Sequence, residues 1–173
     1  MSKILIVVDM QNDFIEGPLG TPEAVAITPK VHKKVEEYRS HGHRIIFTRD
    51  THFVNYSGTL EGKHLPVPHC IVTTKGWKIT PGLFDESTDD VIQKHSFGYN
   101  HWRDFGFTDE DEIELVGLCT DICVVSNALI LKALYPETEI YVDASCCAGT
   151  TPENHKAALQ VMKSCQINVK GEN

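Results

Sequence analysis

No stretch of this 173-residue chain stays apolar for long. The longest runs, residues 4–8 and 123–125 continuing into 128–131, fall far short of the roughly 20 residues that a membrane span needs. Positive charge is also scarce. Lys and Arg number 16 against 24 Asp and Glu, a net charge of −8 that argues against a nucleic acid or an anionic membrane surface as partner. There are no repeats, linkers or low-complexity tracts, so a single domain over residues 1–173 is expected. A chain of this length buries about two-thirds of its unfolded surface. Lys3-Ile-Leu-Ile-Val-Val-Asp9 enters a strand at once, which leaves no room for a signal peptide and points to a cytoplasmic protein.

Six cysteines are present, at 70, 119, 123, 146, 147 and 165, without the density of a disulfide scaffold, and they are expected to be reduced. Cys119 and Cys123 stand four apart rather than with the two-residue gap of a thioredoxin-type pair. Cys146 and Cys147 are adjacent and read as packing residues near a strand end.

What is present is an alternation. Six short, β-branched segments read as strands, at residues 4–8, 44–48, 91–93, 113–118, 139–143 and 167–169. They are continuous rather than alternating, as in strands buried on both faces of a parallel sheet. Between them, residues 29–41, 124–134 and 152–164 read as helices, the last with Thr151 as N-cap and Pro152 in the first turn. The expected fold is therefore α/β, a three-layer α/β/α arrangement around a doubly wound, six-stranded, mostly parallel sheet. Ligands then bind beyond the carboxyl ends of the strands.

Three chemically capable residues fall at such ends. Asp9 closes the first strand, Lys94 the third, and Cys123 follows the fourth, at the start of a helix. Each has a plain structural reading, namely a turn-capping Asp, a solvated Lys and a small buried hydrophobe. Together they form a nucleophile set, in which a carboxylate takes the thiol proton and an ammonium offsets the charge. A helix N-terminus favours both a thiolate and a developing oxyanion.

A second set lies in residues 50–84, a stretch with little periodicity but much Gly, Pro, His and Thr; an irregular segment of that length is usually functional. Asp50 and His52 are two apart and His69 follows seventeen residues later, a common donor set for Zn²⁺, Mn²⁺ or Fe²⁺, which Glu61 or His64 could complete. The histidines at 32, 41, 43, 95, 101 and 155 read as incidental.

The segments Val8-Asp9-Met-Gln-Asn-Asp13-Phe14, Thr48-Arg-Asp-Thr-His52, Pro68-His69-Cys70, Gln93-Lys94 and Gly117-Leu-Cys-Thr-Asp-Ile-Cys123-Val together resemble the isochorismatase-like cysteine hydrolases, and within them the nicotinamidase/pyrazinamidase group. That resemblance implies a deamidase converting nicotinamide to nicotinate and ammonia, in the context of NAD salvage. It implies Asp9, Lys94 and Cys123 as triad, Asp50, His52, His69 and Glu61 as ligands of one divalent ion (Zn²⁺ first, Mn²⁺ or Fe²⁺ also compatible), and a cis Leu118–Cys119 peptide. The N–H groups of Cys119 and Cys123 would form the oxyanion hole. Phe14, Leu19, Phe97 and Tyr99 would supply apolar walls for the small-molecule substrate. The resemblance fits a monomer or a homo-oligomer. The alternative within the superfamily is an enzyme for another small amide or a carbamoyl compound. From a different class, a redox or metal-binding protein centred on Cys119 and Cys123 would leave Asp9 and Lys94 without a role.

Overall fold

The computed structural model describes residues 2–172. Its centre is a six-stranded sheet, with β1 at Lys3–Val8, β2 at Arg44–Asp50, β3 at Asp90–Lys94, β4 at Glu112–Leu118, β5 at Glu139–Ala148 and β6 at Asn168–Lys170. The strand order is β3-β2-β1-β4-β5-β6 and every pairing is parallel. The chain winds outward from β1 to β3, then returns to lay β4 beside β1. The order therefore reverses between β1 and β4, which opens a crevice at their carboxyl ends.

Burial on both faces holds for the inner strands. Along β1, Ile4, Ile6 and Val8 enter one apolar cluster while Leu5 and Val7 enter the other, so successive side chains serve opposite layers. The first cluster is closed by the helices α4 (Val125–Leu134) and α5 (Pro152–Ser164), the second by α2 (Pro22–Ser40). Two short helices, α1 (Asn12–Ile15) and α3 (Leu60–His64), sit in the loops. The edge strands depart from the expected pattern. In β3 only Lys94 is fully buried, because one flank of the strand has no neighbour to cover it.

Several expected boundaries need correction, among them the strand expected over residues 139–143, which continues to Ala148. The helix expected over residues 29–41 begins at Pro22, with Thr21 as N-cap accepting from the Ala24 N–H at 3.0 Å. Pro29 sits inside it rather than at its start. The buried positions Ala24, Ile27, Val31, Val35 and Tyr38 form one stripe that runs through the proline. The ring itself is exposed, on the face of α2 away from that stripe. The irregular region 50–84 also contains structure, since it begins with the last residue of β2 and includes α3.

Gly117 is required by the crevice. It lies at the register shift between β4 and β5 with φ +118°, and a Cβ there would stand 2.1 Å from the Val8 carbonyl oxygen.

Candidate active site

Asp9 leaves β1 in a left-handed conformation, φ 47°, which costs a non-glycine residue about 1–3 kcal/mol and must be held by its surroundings. Thr48 at the neighbouring position of β2 holds it. The Asp9 N–H donates to the Thr48 carbonyl at 3.2 Å, and the Thr48 hydroxyl donates to Asp9 Oδ1 at 2.6 Å. Asp9 Oδ2 then faces Lys94, whose Nζ lies 2.6 Å away in a buried ion pair. The Lys94 ammonium also contacts Cys123 Sγ at 3.4 Å and the Ser96 carbonyl at 3.2 Å. The plain reading of Lys94 as a solvated lysine is thus excluded, because it is 1% exposed inside a ring of acceptors.

Cys123 sits in a π-helical turn, Thr120–Val124, that leads into α4. The helix expected over residues 124–134 therefore gains an irregular first turn, in which the Ile122 and Val124 N–H groups both donate to the Cys119 carbonyl at 3.1 Å. The Leu118–Cys119 peptide is cis.

The electrostatics follow from burial. Burial pushes the Asp9 carboxyl above its ordinary range, against the pull of Lys94. Burial also raises the Cys123 thiol well above its usual value, with Asp9 and Asp50 adding to the effect and Lys94 opposing it. Burial works against the Lys94 ammonium, but Asp9, Cys123 and Asp50 outweigh it and hold its pKa high. Sulfur thus holds its proton at rest beside a carboxylate whose own proton affinity is raised. Cys119 is no better poised as a nucleophile, since burial pushes its thiol up to about 12.

Asp50, His52, Glu61 and His69 converge, with one ligand atom from each lying within 4.8 Å of all the others. His52 Nε2 is 2.9 Å from Asp50 Oδ2 and 3.5 Å from Glu61 Oε1; His69 Nε2 is 3.6 and 3.7 Å from the same two oxygens. His69 Nδ1 donates to the Val67 carbonyl at 2.8 Å, which leaves Nε2 as the lone-pair donor facing the cluster. Two imidazoles and two carboxylates at this spacing suit a divalent metal, and the residues present fit one. Of the two candidates for fourth donor, Glu61 belongs to this cluster and the exposed His64 does not.

Polar residues behind Asp9 that the sequence does not mark as functional pin this loop. Gln11, fully buried, accepts from the Asp50 N–H at 2.7 Å and donates to the Asp50 and Trp77 carbonyls at 2.8 Å each. Asp13 Oδ2 accepts from the Cys70 N–H at 2.8 Å, and Asn12 Nδ2 donates to the Lys75 carbonyl at 2.8 Å. The polar residues after Asp9 therefore serve as a template for residues 69–77. The only signal for this was their cluster directly behind the acid.

A cavity of about 290 Å³ connects the two groups. Cys123 and Cys119 stand on one side, Asp50, Glu61 and His69 on the other, with Phe14, Leu19 and Phe97 in the walls. Leu65 also lines it, as does Ile122, which was not anticipated. Tyr99 requires correction. It is absent from this lining and packs instead against Trp102, 5.2 Å between ring centroids, with its N–H bonded to Asn127. A larger cavity, about 450 Å³, opens between α2, β5 and α5 and touches none of these groups.

The chain matches the Isochorismatase domain family over residues 3–170. It is 27% identical to the nicotinamidase/pyrazinamidase of Mycobacterium tuberculosis, across 96% of this chain and 97% of that one. It is 31% identical to a probable inactive nicotinamidase of Arabidopsis thaliana, across 94% and 89%. The crystal structure of the pyrazinamidase of Pyrococcus horikoshii in complex with zinc superposes with a TM-score of 0.81 at 28% identity, covering 99% of this chain and all of that one. The chain belongs to the isochorismatase family, in its nicotinamidase/pyrazinamidase group, and is a hydrolase acting on amides.

Proposed function

We propose that this isochorismatase-family hydrolase deamidates nicotinamide, and pyrazinamide with it, to the acid and ammonia through a thioester on Cys123. The observation that carries the reading is the shared carboxylate. Asp50 touches Lys94 of the triad and His52 of the donor cluster, so nucleophile and metal ligands face one small cavity. All three triad residues are present, as an active enzyme needs.

Asp9 Oδ2 takes the Cys123 proton as sulfur attacks the carboxamide carbon, and the carbonyl electrons move to oxygen. The Cys119 and Cys123 N–H groups receive that oxyanion, at about 3 kcal/mol per well-placed donor. Collapse expels the amine, which leaves as ammonia with the proton that Asp9 returns. A water molecule, deprotonated by Asp9, then hydrolyses the thioester and restores the thiol. Lys94 keeps its charge throughout and holds Asp9 against Cys123. Asp50, His52, Glu61 and His69 would hold one divalent ion, Zn²⁺ first and Mn²⁺ or Fe²⁺ also compatible, which supplies a Lewis-acid anchor for a ring nitrogen. Phe14, Leu19 and Phe97 flank the ring.

On the same reading the enzyme, a monomer or a homo-oligomer, works in the cytoplasm, where its free thiols persist, and its product enters NAD salvage. No helix among the described residues is long and apolar enough to cross a membrane.

Ammonia release is the direct test, run on nicotinamide, pyrazinamide and a carbamoyl amine. Nicotinamide should turn over fastest, and Cys123→Ala should lower its rate by at least about 10³-fold. Mass spectrometry of the quenched enzyme should show a nicotinoyl adduct on the peptide carrying Cys123. Preference for the carbamoyl compound would overturn the substrate, and undiminished turnover by Cys123→Ala the mechanism.

A further inference from the structure

One buried amide ties the nucleophile to the cavity wall. Asn127 lies one helical turn after Cys123, on α4, and is fully buried. Its Nδ2 donates to the Cys123 carbonyl at 2.8 Å and to the Phe97 carbonyl at 3.2 Å. Its Oδ1 accepts from the Tyr99 N–H at 2.9 Å and from the Trp102 indole N–H at 3.0 Å. Both donors and both acceptor positions of the side chain are thereby in use.

Three of the four partners belong to the segment that follows β3. That segment also bears Ser96, whose carbonyl receives Lys94, and Phe97, which is 47% exposed and lines the cavity. Gly98 brings it directly onto α4, since a Cβ there would stand 2.3 Å from Ile130 Cδ1. A surface loop of this kind would ordinarily have room to move. Here its polar backbone groups on either side of Gly98 are held by a single side chain, which also holds the nucleophile's carbonyl.

We infer that Asn127 is a positioning residue that fixes Phe97 relative to Cys123, and so sets the width of the cavity and the size of amide that it accepts. The inference rests on the reading of this cavity as the amide site. Asn127 touches neither substrate nor the reacting atoms; it acts through Phe97. In Asn127→Asp the acceptors for Tyr99 and Trp102 remain, while the donor to Phe97 and Cys123 is replaced by an oxygen facing two carbonyls.

The test is a double-mutant cycle with Phe97→Ala, read as KM and kcat on nicotinamide and on a bulkier bicyclic aromatic amide. Asn127→Asp should raise KM for nicotinamide about tenfold, change kcat by less than about threefold, and narrow the preference for nicotinamide over the bulkier amide. In the Phe97→Ala background it should alter KM less than about twofold. Effects that multiply, or a loss confined to kcat, would overturn the inference. So would an unchanged KM in Phe97→Ala, which removes the wall. Hydrogen exchange on the unmodified protein gives a second readout that needs no variant. The Tyr99 amide should be strongly protected, and exchange at an open-loop rate would overturn the inference. If no amide is turned over by the unmodified enzyme, the functional reading falls, and Tyr99 exchange still decides whether Asn127 fixes the segment.

Discussion

The Asp50 carboxylate lies 3.4 Å from the Lys94 ammonium through Oδ1 while Oδ2 lies 2.9 Å from His52, and this placement joins the histidine–carboxylate cluster to the group formed by Asp9, Lys94 and Cys123. Burial raises its proton affinity, but His52, His69 and Lys94 more than compensate and hold the carboxyl well below the usual carboxylate range. Removal of the ion should therefore affect turnover as well as binding. Chelation should lower ammonia release by about 10²-fold or more, and added Zn²⁺ should restore it. In Asp50→Asn, added Zn²⁺ should restore little. Elemental analysis alongside the rate measurement checks this, and full activity in metal-free enzyme would refute it.

A structural charge network lies away from the cavity, under α2. Glu114 receives Lys34 at 2.9 Å, the Tyr38 hydroxyl at 2.6 Å and Lys170 at 2.8 Å, while Asp143 receives Lys34 at 2.8 Å. Burial raises both carboxyls, but their partners prevail and both end below their ordinary pKa. A carboxyl depressed in the folded state binds fewer protons there than in the unfolded chain. Its stabilisation is complete above the unfolded pKa, near 4 to 4.5, and is lost as pH falls through the folded value. Thermal melts should show Tm falling as pH drops from about 5 to 3, and Glu114→Gln should start lower and fall less steeply. Parallel pH profiles for the two proteins would contradict this.

Gly117 should tolerate no side chain. With φ +118° and the Val8 carbonyl oxygen 2.1 Å from where a Cβ would stand, Gly117→Ala must shift β1 against β4, the two strands that bound the crevice. A loss of about 3 kcal/mol or more is expected in denaturant unfolding, with turnover reduced in whatever folds. A loss under 1 kcal/mol would show that the strands can separate freely there.

Tyr99 gives a contrasting case. Its ring packs on Trp102 and Phe105 rather than lining the cavity, so Tyr99→Phe should leave kcat and KM for nicotinamide within about twofold of the parent. Phe14→Ala, at the cavity wall, should raise KM severalfold. Equal effects of the two would place the substrate elsewhere.

Much of this was legible beforehand because a parallel sheet puts strand ends in one place. Continuous β-branched runs and helix-like stretches between them suffice for the α/β fold, and with it for the convergence of Asp9, Lys94 and Cys123. Thr151-Pro152 marks the start of α5 by local chemistry alone, whereas the start of α2 was obscured by Pro29, whose usual exclusion from helix interiors is overridden here by the apolar stripe on either side of it. The candidate metal donors could be gathered from their spacing, because Asp50 and His52 leave one strand together. The fourth donor could not be chosen by spacing, since Glu61 and His64 lie within one turn of α3 and only their orientation separates them.

By itself the sequence determined the strand–helix alternation, the acid, amine and thiol at strand ends, and the donor types in the irregular region. All of these depend on residue type and on separations along the chain. Tertiary structure alone decided that Lys94 is buried on an otherwise exposed edge strand, that Asp50 serves both clusters, that Gln11 and Asp13 pin the donor loop, and that Tyr99 turns from the cavity to Asn127 and Trp102. These relations join residues far apart in the chain. They exist only once the two apolar layers have closed on the sheet and each buried polar group has had to find its partner among the groups enclosed with it.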